Sequence, residues 1–331
     1  MINEVTNCLN IELQGETLVS GGAGFLGSWL SEALASLGLR VVCVDDLSTG
    51  LIDNVSRLAD GNRFKFVREK IENYRPEGAF KYIIHLASRP SPDDYVAHPI
   101  ETLMTSAQGT LNTLEAARKN DAVYFLASTS EIYGDAKVIP TPEQYWGFVN
   151  PVGIRSCYDE GKRFAEALTM AYRRQYALDC RIMRIFNVYG PRMRSDGSYG
   201  RVIPIFITQA LDNVPLTIHG DGSQTRSFTY VSDWLEAALL MLSMDRAKGQ
   251  IINVGDSRET SILELAQLIV KLTNSRSPLT FLPPRVDDPK RRRPDVIVAK
   301  DVLGWLPRTP IERGLERTIE WLRGKRSTSS E

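Results

Sequence analysis

From residue 17 onward, short apolar runs alternate with longer stretches of helical period: TLVSGG, a helix opening near Phe25, LRVVCVDD, FKFV, YIIHLAS, a helix across 100–118, and AVYFLAS. Strands and helices alternating at this spacing predict βαβ units and a parallel, doubly wound sheet, with right-handed crossovers fixing most of the topology. Beyond Phe186 the character changes. Gly-, Pro- and Ser-rich connections (YGPRMRSDGSYGR, HGDGSQTRS) surround the amphipathic stretch VIPIFITQAL, and a helix-like SDWLEAALLMLSM follows. Such loops carry ligand contacts more often than core. SILELAQLIVKL, DVIVAKDVLGW and IERGLERTIEWL then read as a small helical and mixed lobe, ending in a polar tail, RSTSSE, expected to fray. The expected fold is therefore α/β, a Rossmann-type doubly wound sheet with a smaller mixed C-terminal substrate lobe. The expected division gives 1–188 and 228–258 to a cofactor-binding half, and 189–227 and 259–331 to the lobe.

A chain of 331 residues can bury the core that such a fold needs. Its 40 basic and 40 acidic side chains cancel, and only Lys290 to Arg293 forms a basic run. That leaves no broad electrostatic footprint for nucleic acid or membrane, and favours a small or nucleotide-bearing ligand. The cysteines, Cys8, Cys43, Cys157 and Cys180, are widely spaced and the three histidines lie elsewhere, so neither a metal site nor a disulfide framework is indicated. The N-terminus is polar and lacks the order of a signal peptide, and no apolar run is long enough to span a bilayer. The expectation is a soluble, cytoplasmic protein with free thiols.

GGAGFLG at 21–27 follows an apolar strand and opens a helix, the context that a dinucleotide fingerprint requires. Gly21 suits the turn, Gly24 the approach of backbone to a pyrophosphate, and Gly27 close packing of the helix. Phe25, Leu26 and, on a later strand end, Leu86 join them as cofactor candidates. The GxxGxxG spacing is the form used by short-chain dehydrogenase/reductase proteins. Asp45 closes the second strand, where a carboxylate accepts hydrogen bonds from a ribose diol and repels a 2′-phosphate, so NAD is expected over NADP. Asp46 has two open readings, a cofactor contact or a cap on the following LST turn.

Ser128, Thr129, Ser130 and Glu131 directly follow the apolar run AVYFLA, at the carboxyl end of a parallel strand where ligands of open α/β sheets bind. Tyr158 and Lys162 stand one helical turn apart in SCYDEGKRF, which puts both on one helix face. An ammonium near a phenol is expected to lower its pKa and make it a base for a sugar hydroxyl. A YxxxK pair alone is weak, but behind a fingerprint and a serine-rich strand end it points to catalysis.

HLAS, STSEIYG, NPVGIRSCYDEGKRFAE, RIFNVYGPRM, GSQTRSFTYVSD and RRRPD together resemble an extended short-chain dehydrogenase/reductase acting on nucleotide sugars, and within that group the UDP-glucuronate decarboxylases. The resemblance spans about residues 17 to 323. Ser130-Glu131 is the decarboxylase pattern: related 4-epimerases carry a small residue in place of Glu131, and 4,6-dehydratases carry Asp-Glu in place of the pair. The resemblance implies that Thr129 and Tyr158 hold the sugar 4-hydroxyl, that Tyr158 removes its proton, and that Lys162 binds the nicotinamide ribose. It places Glu131, Ser130 and Arg292 near the carboxylate and the C5 proton transfer. The implied reaction oxidises C4, loses carbon dioxide, protonates C5 and reduces C4 again, with NAD regenerated. Glu131, close to a substrate carboxylate, is expected to have a raised pKa.

The same resemblance offers Arg226 and Arg201, with neighbouring Val202, for the substrate diphosphate side. It sets Asn187 and Arg192 beside the loop entering the lobe and His219 where an aromatic often meets the base. Arg155 has two open readings, facing the substrate carboxylate or bracing its loop. His85, inside a strand, is read as a core histidine. Three departures stand out: Lys70-Ile71 where relatives place Asp and an aliphatic residue against adenine, Arg89 where proline is usual, and a longer RMRSDGSYGRV loop. The resemblance also implies a homodimer, paired through the 100–118 and 158–176 helices as a four-helix bundle. The rivals are a 4-epimerase or 4,6-dehydratase on the same scaffold and, in another class, a non-catalytic NAD-binding regulator.

Overall fold

The computed structural model describes residues 1–9, 11–59, 61–196, 201–285 and 288–328, with side chains described through 326. Its fourteen strands are β1 (Glu16–Ser20), β2 (Arg40–Val44), β3 (Phe64–Val67), β4 (Phe80–His85), β5 (Val123–Thr129), β6 (Cys180–Ile185), β7 (Val188–Tyr189), β8 (Leu216–His219), β9 (Thr225–Arg226), β10 (Thr229–Tyr230), β11 (Ile251–Val254), β12 (Thr260–Ser261), β13 (Leu279–Leu282) and β14 (Arg291–Arg292). The helices are α1 (Ile2–Cys8), α2 (Phe25–Ser36), α3 (Pro92–Ala97), α4 (Pro99–Met104), α5 (Thr110–Asn120), α6 (Ser156–Tyr176), α7 (Val202–Leu211), α8 (Val231–Ser243), α9 (Ile262–Thr273) and α10 (Ile311–Thr328).

Seven strands form one parallel sheet in the order β11-β6-β5-β4-β1-β2-β3. The chain order reverses between β1 and β4, so a crevice opens there beyond the carboxyl ends of the strands, where ligands of such sheets bind. Helices cover both faces, which is why the strands are continuous apolar runs: Leu18, Ile83, Ile84, Phe125, Leu126 and Ile182 are fully buried. Three strands at the sheet centre thereby fix the positions of Gly21, Leu86 and Thr129 at one edge of the crevice.

The predicted strands and helices of the first 190 residues are present, and α1, α3, β6 and β7 join them. The polar N-terminus forms α1, whose Ile2 and Thr6 are buried, and which packs on α2 and α8. The long helix expected over 100–118 is α4 and α5 joined by a π-helical turn at Thr105–Gly109. On the lobe side, α7 covers the predicted VIPIFITQAL, α9 is capped by a Ser261–Glu264 capping box, and two small sheets, β13-β8 and β12-β9-β14, complete the layer. The β9–β14 pairing carries Arg292 toward the crevice. Helix α10 runs to Thr328, and the last part of the predicted frayed tail, 329–331, lies outside the described residues. The same holds for 197–200 of the long RMRSDGSYGRV loop. No described helix is long and apolar enough to cross a membrane, and no described cluster of His, Cys, Asp or Glu suits a metal ion.

Candidate active site

One cleft along the crevice gathers every candidate cofactor, substrate and catalytic residue named from the sequence. On its cofactor side, Gly21 takes a left-handed φ of 72°, and a Cβ there would stand 2.7 Å from the Ala87 backbone. A Cβ on Gly27 would meet the Gly21 carbonyl oxygen at 2.1 Å, so α2 can lie this close to β1 only with glycine there. Gly24 is the N-cap of α2, and its added Cβ would be at 3.1 Å from that same oxygen. Phe25 and Leu26 follow in the first turn of α2, whose free N–H groups and positive dipole end suit a diphosphate.

Asp45 is buried at the end of β2 and accepts hydrogen bonds from Ala23 N at 3.0 Å and Leu47 N at 2.9 Å. Burial raises its pKa against those bonds. A carboxylate has about four lone-pair positions, which leaves room for a ribose diol. Asp46 instead accepts from Ser48 N at 2.9 Å, the turn-capping alternative. Leu86 continues β4 by donating to Ser20 O at 3.0 Å. Lys70 and Ile71 also line the cleft, Ile71 buried and Lys70 exposed. Glycine cradle, helix end and buried acid fit a dinucleotide.

The chemical end is built by β5 and α6. Thr129 ends β5 and caps the turn at Ser130–Tyr133, its hydroxyl accepting from Glu131 N at 3.2 Å. Tyr158 is buried in the first turn of α6, near the hydroxyls of Thr129 and Ser88. Its neighbour Tyr95, from α3, stacks on it with ring centroids 5.1 Å apart.

Two electrostatic expectations are corrected. Lys162 donates its Nζ to the Ala127 carbonyl at 2.9 Å, and burial lowers the ammonium to about 8. Burial raises the Tyr158 phenol to about 12, with Arg201 opposing and Glu131 reinforcing. The phenol is therefore not acidified by its helical partner. Glu131 also departs from expectation. Burial works to raise it, but Arg292 and Arg155 outweigh burial and hold the carboxyl well below the ordinary range. Sequence reasoning weighed only the charge of a substrate and could not see these guanidiniums converge.

Their convergence is the main feature of the site. Arg292 donates through both terminal nitrogens to Glu131, the Nη2 bond at 2.8 Å, and Arg155 Nη2 donates at 2.6 Å. Arg155 also faces Asp288 at 3.6 Å, and Asp288 accepts from Arg226 at 2.9 Å. Arg155 thus braces the acid cluster from the α6 end. Ser130 is buried beside Glu131. Behind them, Ser128 and Arg184 both bind Glu166, and Arg184 donates to the Tyr133 hydroxyl at 2.7 Å, which locks the strand end to α6.

The remaining candidates line the far wall. Asn187, at φ 37°, donates to Ser227 O at 3.3 Å. Arg201 reaches Pro90 O at 3.4 Å with Val202 next to it at the start of α7, and His219 holds Pro283 O at 3.1 Å. Arg192 is turned to α2, bound to Glu32 and stacked 3.9 Å over the Trp29 ring, with one buried guanidinium nitrogen unpaired. That sets it against α2. Arg89 pairs with Asp94, and His85 is buried with its Nδ1 2.7 Å from the Ser20 hydroxyl. Sequence reasoning missed Ser88, Tyr95, Asp159, Arg285 and Asp288. The loop after β4 offered one signal, because it too leaves the carboxyl end of a strand beside the switch point.

The model of the NAD dependent epimerase/dehydratase family matches residues 17–255. UDP-glucuronic acid decarboxylase 1 of Danio rerio is 46% identical over 305 residues, spanning 92% of this chain and 72% of that protein. UDP-glucose 4-epimerase from Thermotoga maritima, solved with UDP-glucose, superposes with a TM-score of 0.85 at 31% identity over 94% of this chain and 99% of its own. UDP-glucuronic acid 4-epimerase from Bacillus cereus, solved with UDP-glucuronic acid and NAD, gives 0.85 at 28% identity over 94% and 99%. With the family model matched over residues 17–255 and a relative 46% identical over 92% of this chain, the chain belongs to the NAD dependent epimerase/dehydratase family.

Proposed function

We propose that this protein decarboxylates UDP-glucuronate to UDP-xylose with NAD as its bound cofactor. The observation that carries the reading is Glu131 clamped by Arg155 and Arg292 beside Tyr158. The relatives named UDP-glucuronic acid decarboxylase, 41–46% identical over most of the chain, support it.

NAD, when bound, supplies the oxidation and later reduction at C4. Gly21, Gly24 and the start of α2 would hold its diphosphate, Asp45 its adenosine ribose, and Lys162 its nicotinamide ribose. Tyr158 takes the proton of the 4-hydroxyl, and the nearby hydroxyls of Thr129 and Ser88 each favour the ionised phenol. Once C4 is a carbonyl, the C6 carboxylate lies β to it, and the electrons released with carbon dioxide pass onto the C4 oxygen. Tyr158 and Thr129 face that oxygen and stabilise its charge, a task worth several kcal/mol when donors are fixed in advance, roughly 3–4 per donor.

Glu131 does its work as an ionised group. Its carboxylate offsets part of the charge of the two guanidiniums, so they grip an incoming carboxylate less firmly than free arginines would. The substrate charge is then less stabilised on C6 than at C4, where the reaction moves it. Glu131 also holds the water that protonates C5, and Ser130 lines this pocket. Arg226, Arg201 and Arg192 contribute positive charge along the diphosphates of substrate and cofactor.

The proposal includes a homodimer. Ile100, Leu103 and Met104 on α4 and Phe164 on α6 are exposed apolar side chains on two helices that pack together, a face suited to a four-helix bundle with a second copy. Its four unpaired cysteines suit a reducing compartment such as the cytoplasm.

Incubation with UDP-glucuronate followed by mass analysis of the nucleotide sugars tests the reading. UDP-xylose is the expected product; UDP-galacturonate, with its carboxylate retained, would assign the protein to the 4-epimerases.

A further inference from the structure

Three consecutive residues after β4 make three different attachments. Asp93 meets Arg285 of the substrate-side layer at 3.1 Å, and Asp94 accepts from Arg89 at 2.9 and 3.0 Å. Tyr95 then lies against Tyr158 with ring planes only 8° from parallel. Tyr95 is 1% exposed, and its carbonyl receives the Cys157 thiol at 3.4 Å, a second tie to the turn that carries Tyr158. The Arg155 guanidinium stands 6.0 Å from the Tyr95 ring centroid. The Tyr95 hydroxyl is buried and makes no hydrogen bond, so the interaction that this residue supplies to Tyr158 is through its ring.

We propose that Tyr95 is a positioning residue: its ring, anchored by the ion pairs of α3, fixes the plane of the Tyr158 phenol at the angle from which it takes the substrate proton. Proton transfer requires the phenol oxygen within hydrogen-bond reach of the hydroxyl, and an error of about 1 Å in such a geometry lowers rates by roughly 100-fold. Here Tyr95 lies, offset and near-parallel, against one face of the buried Tyr158 ring. The offset, near-parallel pair is a geometry that aromatic rings favour at about 4.5–7 Å. Because Asp93 answers to Arg285, the same element ties the position of the base to the layer that surrounds the substrate.

This proposal rests on Tyr158 being the base of the decarboxylase reading, and its test separates the two. Tyr95→Leu and Tyr95→Phe are assayed with UDP-glucuronate beside wild type. In the same proteins the Tyr158 phenol is titrated by difference absorbance, assigned by its loss in Tyr158→Phe. The expected result is a kcat at least about 10-fold lower in Tyr95→Leu with KM within about 2-fold. Tyr95→Phe should recover most of that loss, because it keeps the ring. The phenol should titrate lower in Tyr95→Leu than in Tyr95→Phe, since losing the stack admits water to a group that burial holds up. Tyr95→Met replaces Tyr95→Leu if the latter does not fold. A Leu variant with wild-type kcat, equal phenol titrations in the two variants, or a Phe variant as slow as Leu would each overturn the proposal. Wild type that makes no UDP-xylose would instead overturn the functional reading, while the titration still decides the role of Tyr95.

Discussion

Arg292 and Glu131 stand 161 positions apart in the chain and meet through two hydrogen bonds at the end of β5. The pair brings the lobe strand β14 onto the catalytic end of the main sheet, and with Arg155 it keeps Glu131 ionised. A carboxylate in this position lowers the hold of the site on a second carboxylate. Glu131→Gln should therefore bind UDP-glucuronate more tightly than wild type and turn it over at least about 100-fold more slowly, with KM and kcat falling together. Steady-state kinetics decide this; a raised KM with unchanged kcat would show Glu131 to be a plain binding group.

Asp159, next to Tyr158, gives the fold a pH signature. Burial raises its carboxyl to about 7, Glu131 adds to the rise, and Arg155 and Arg292 oppose it. The unfolded chain releases this proton near pH 4, at the ordinary aspartate value. Between about pH 4 and 7 the folded protein thus binds more protons than the unfolded one, so stability attributable to Asp159 falls as pH rises across that window. Asp159→Asn carries no such proton. Melting curves should show the variant gaining on wild type from about pH 4 to 7 and the gap levelling above; a constant gap contradicts the shift.

The Glu166–Arg184 ion pair is buried, with side-chain exposures of 10% and 9%, and Ser128 shares its carboxylate. Removing one partner of such a pair leaves an uncompensated charge, so Arg184→Met should destabilise the protein by about 3–5 kcal/mol in urea unfolding. A loss below about 1 kcal/mol, typical of an exposed pair, would deny the pair this role.

Two glycines of the fingerprint have separable functions. A Cβ on Gly24 would approach the Gly21 oxygen to 3.1 Å, which small shifts accommodate, whereas on Gly27 it would stand at 2.1 Å. Gly24→Ala should fold with a wild-type melting temperature within a few degrees and lose NAD on gel filtration. Gly27→Ala should lower the melting temperature itself. Equal melting behaviour in the two would remove the distinction between cofactor approach and helix packing.

The first half of the fold was legible because its signals are local. GGAGFLG, the acid after the second strand and the Tyr158–Lys162 spacing each lie within one element or one turn, and apolar strands buried on both faces announce themselves as unbroken runs. The charge state of Glu131 was not legible, because Arg292 arrives from a short strand far down the chain and Arg155 from the loop before α6. Helical spacing puts Lys162 on the face of Tyr158, but it does not show that the ammonium is directed to the Ala127 carbonyl. Tyr95 was missed for the same reason, since stacking on Tyr158 is a property of two packed elements. Asn187 and Arg192, flagged from the loop after β6, do line the cleft, but only packing shows that Arg192 turns toward Trp29.

In the proposed reaction, C4 oxidation serves to release a carboxylate and is followed by protonation of C5. Turnover of UDP-glucuronate in heavy water, followed by mass spectrometry of the nucleotide sugar, reads both events at once. The expected product is UDP-xylose lacking the carboxylate and carrying a single deuterium bound to carbon. A product that keeps the carboxylate and carries no carbon-bound deuterium would contradict that reaction.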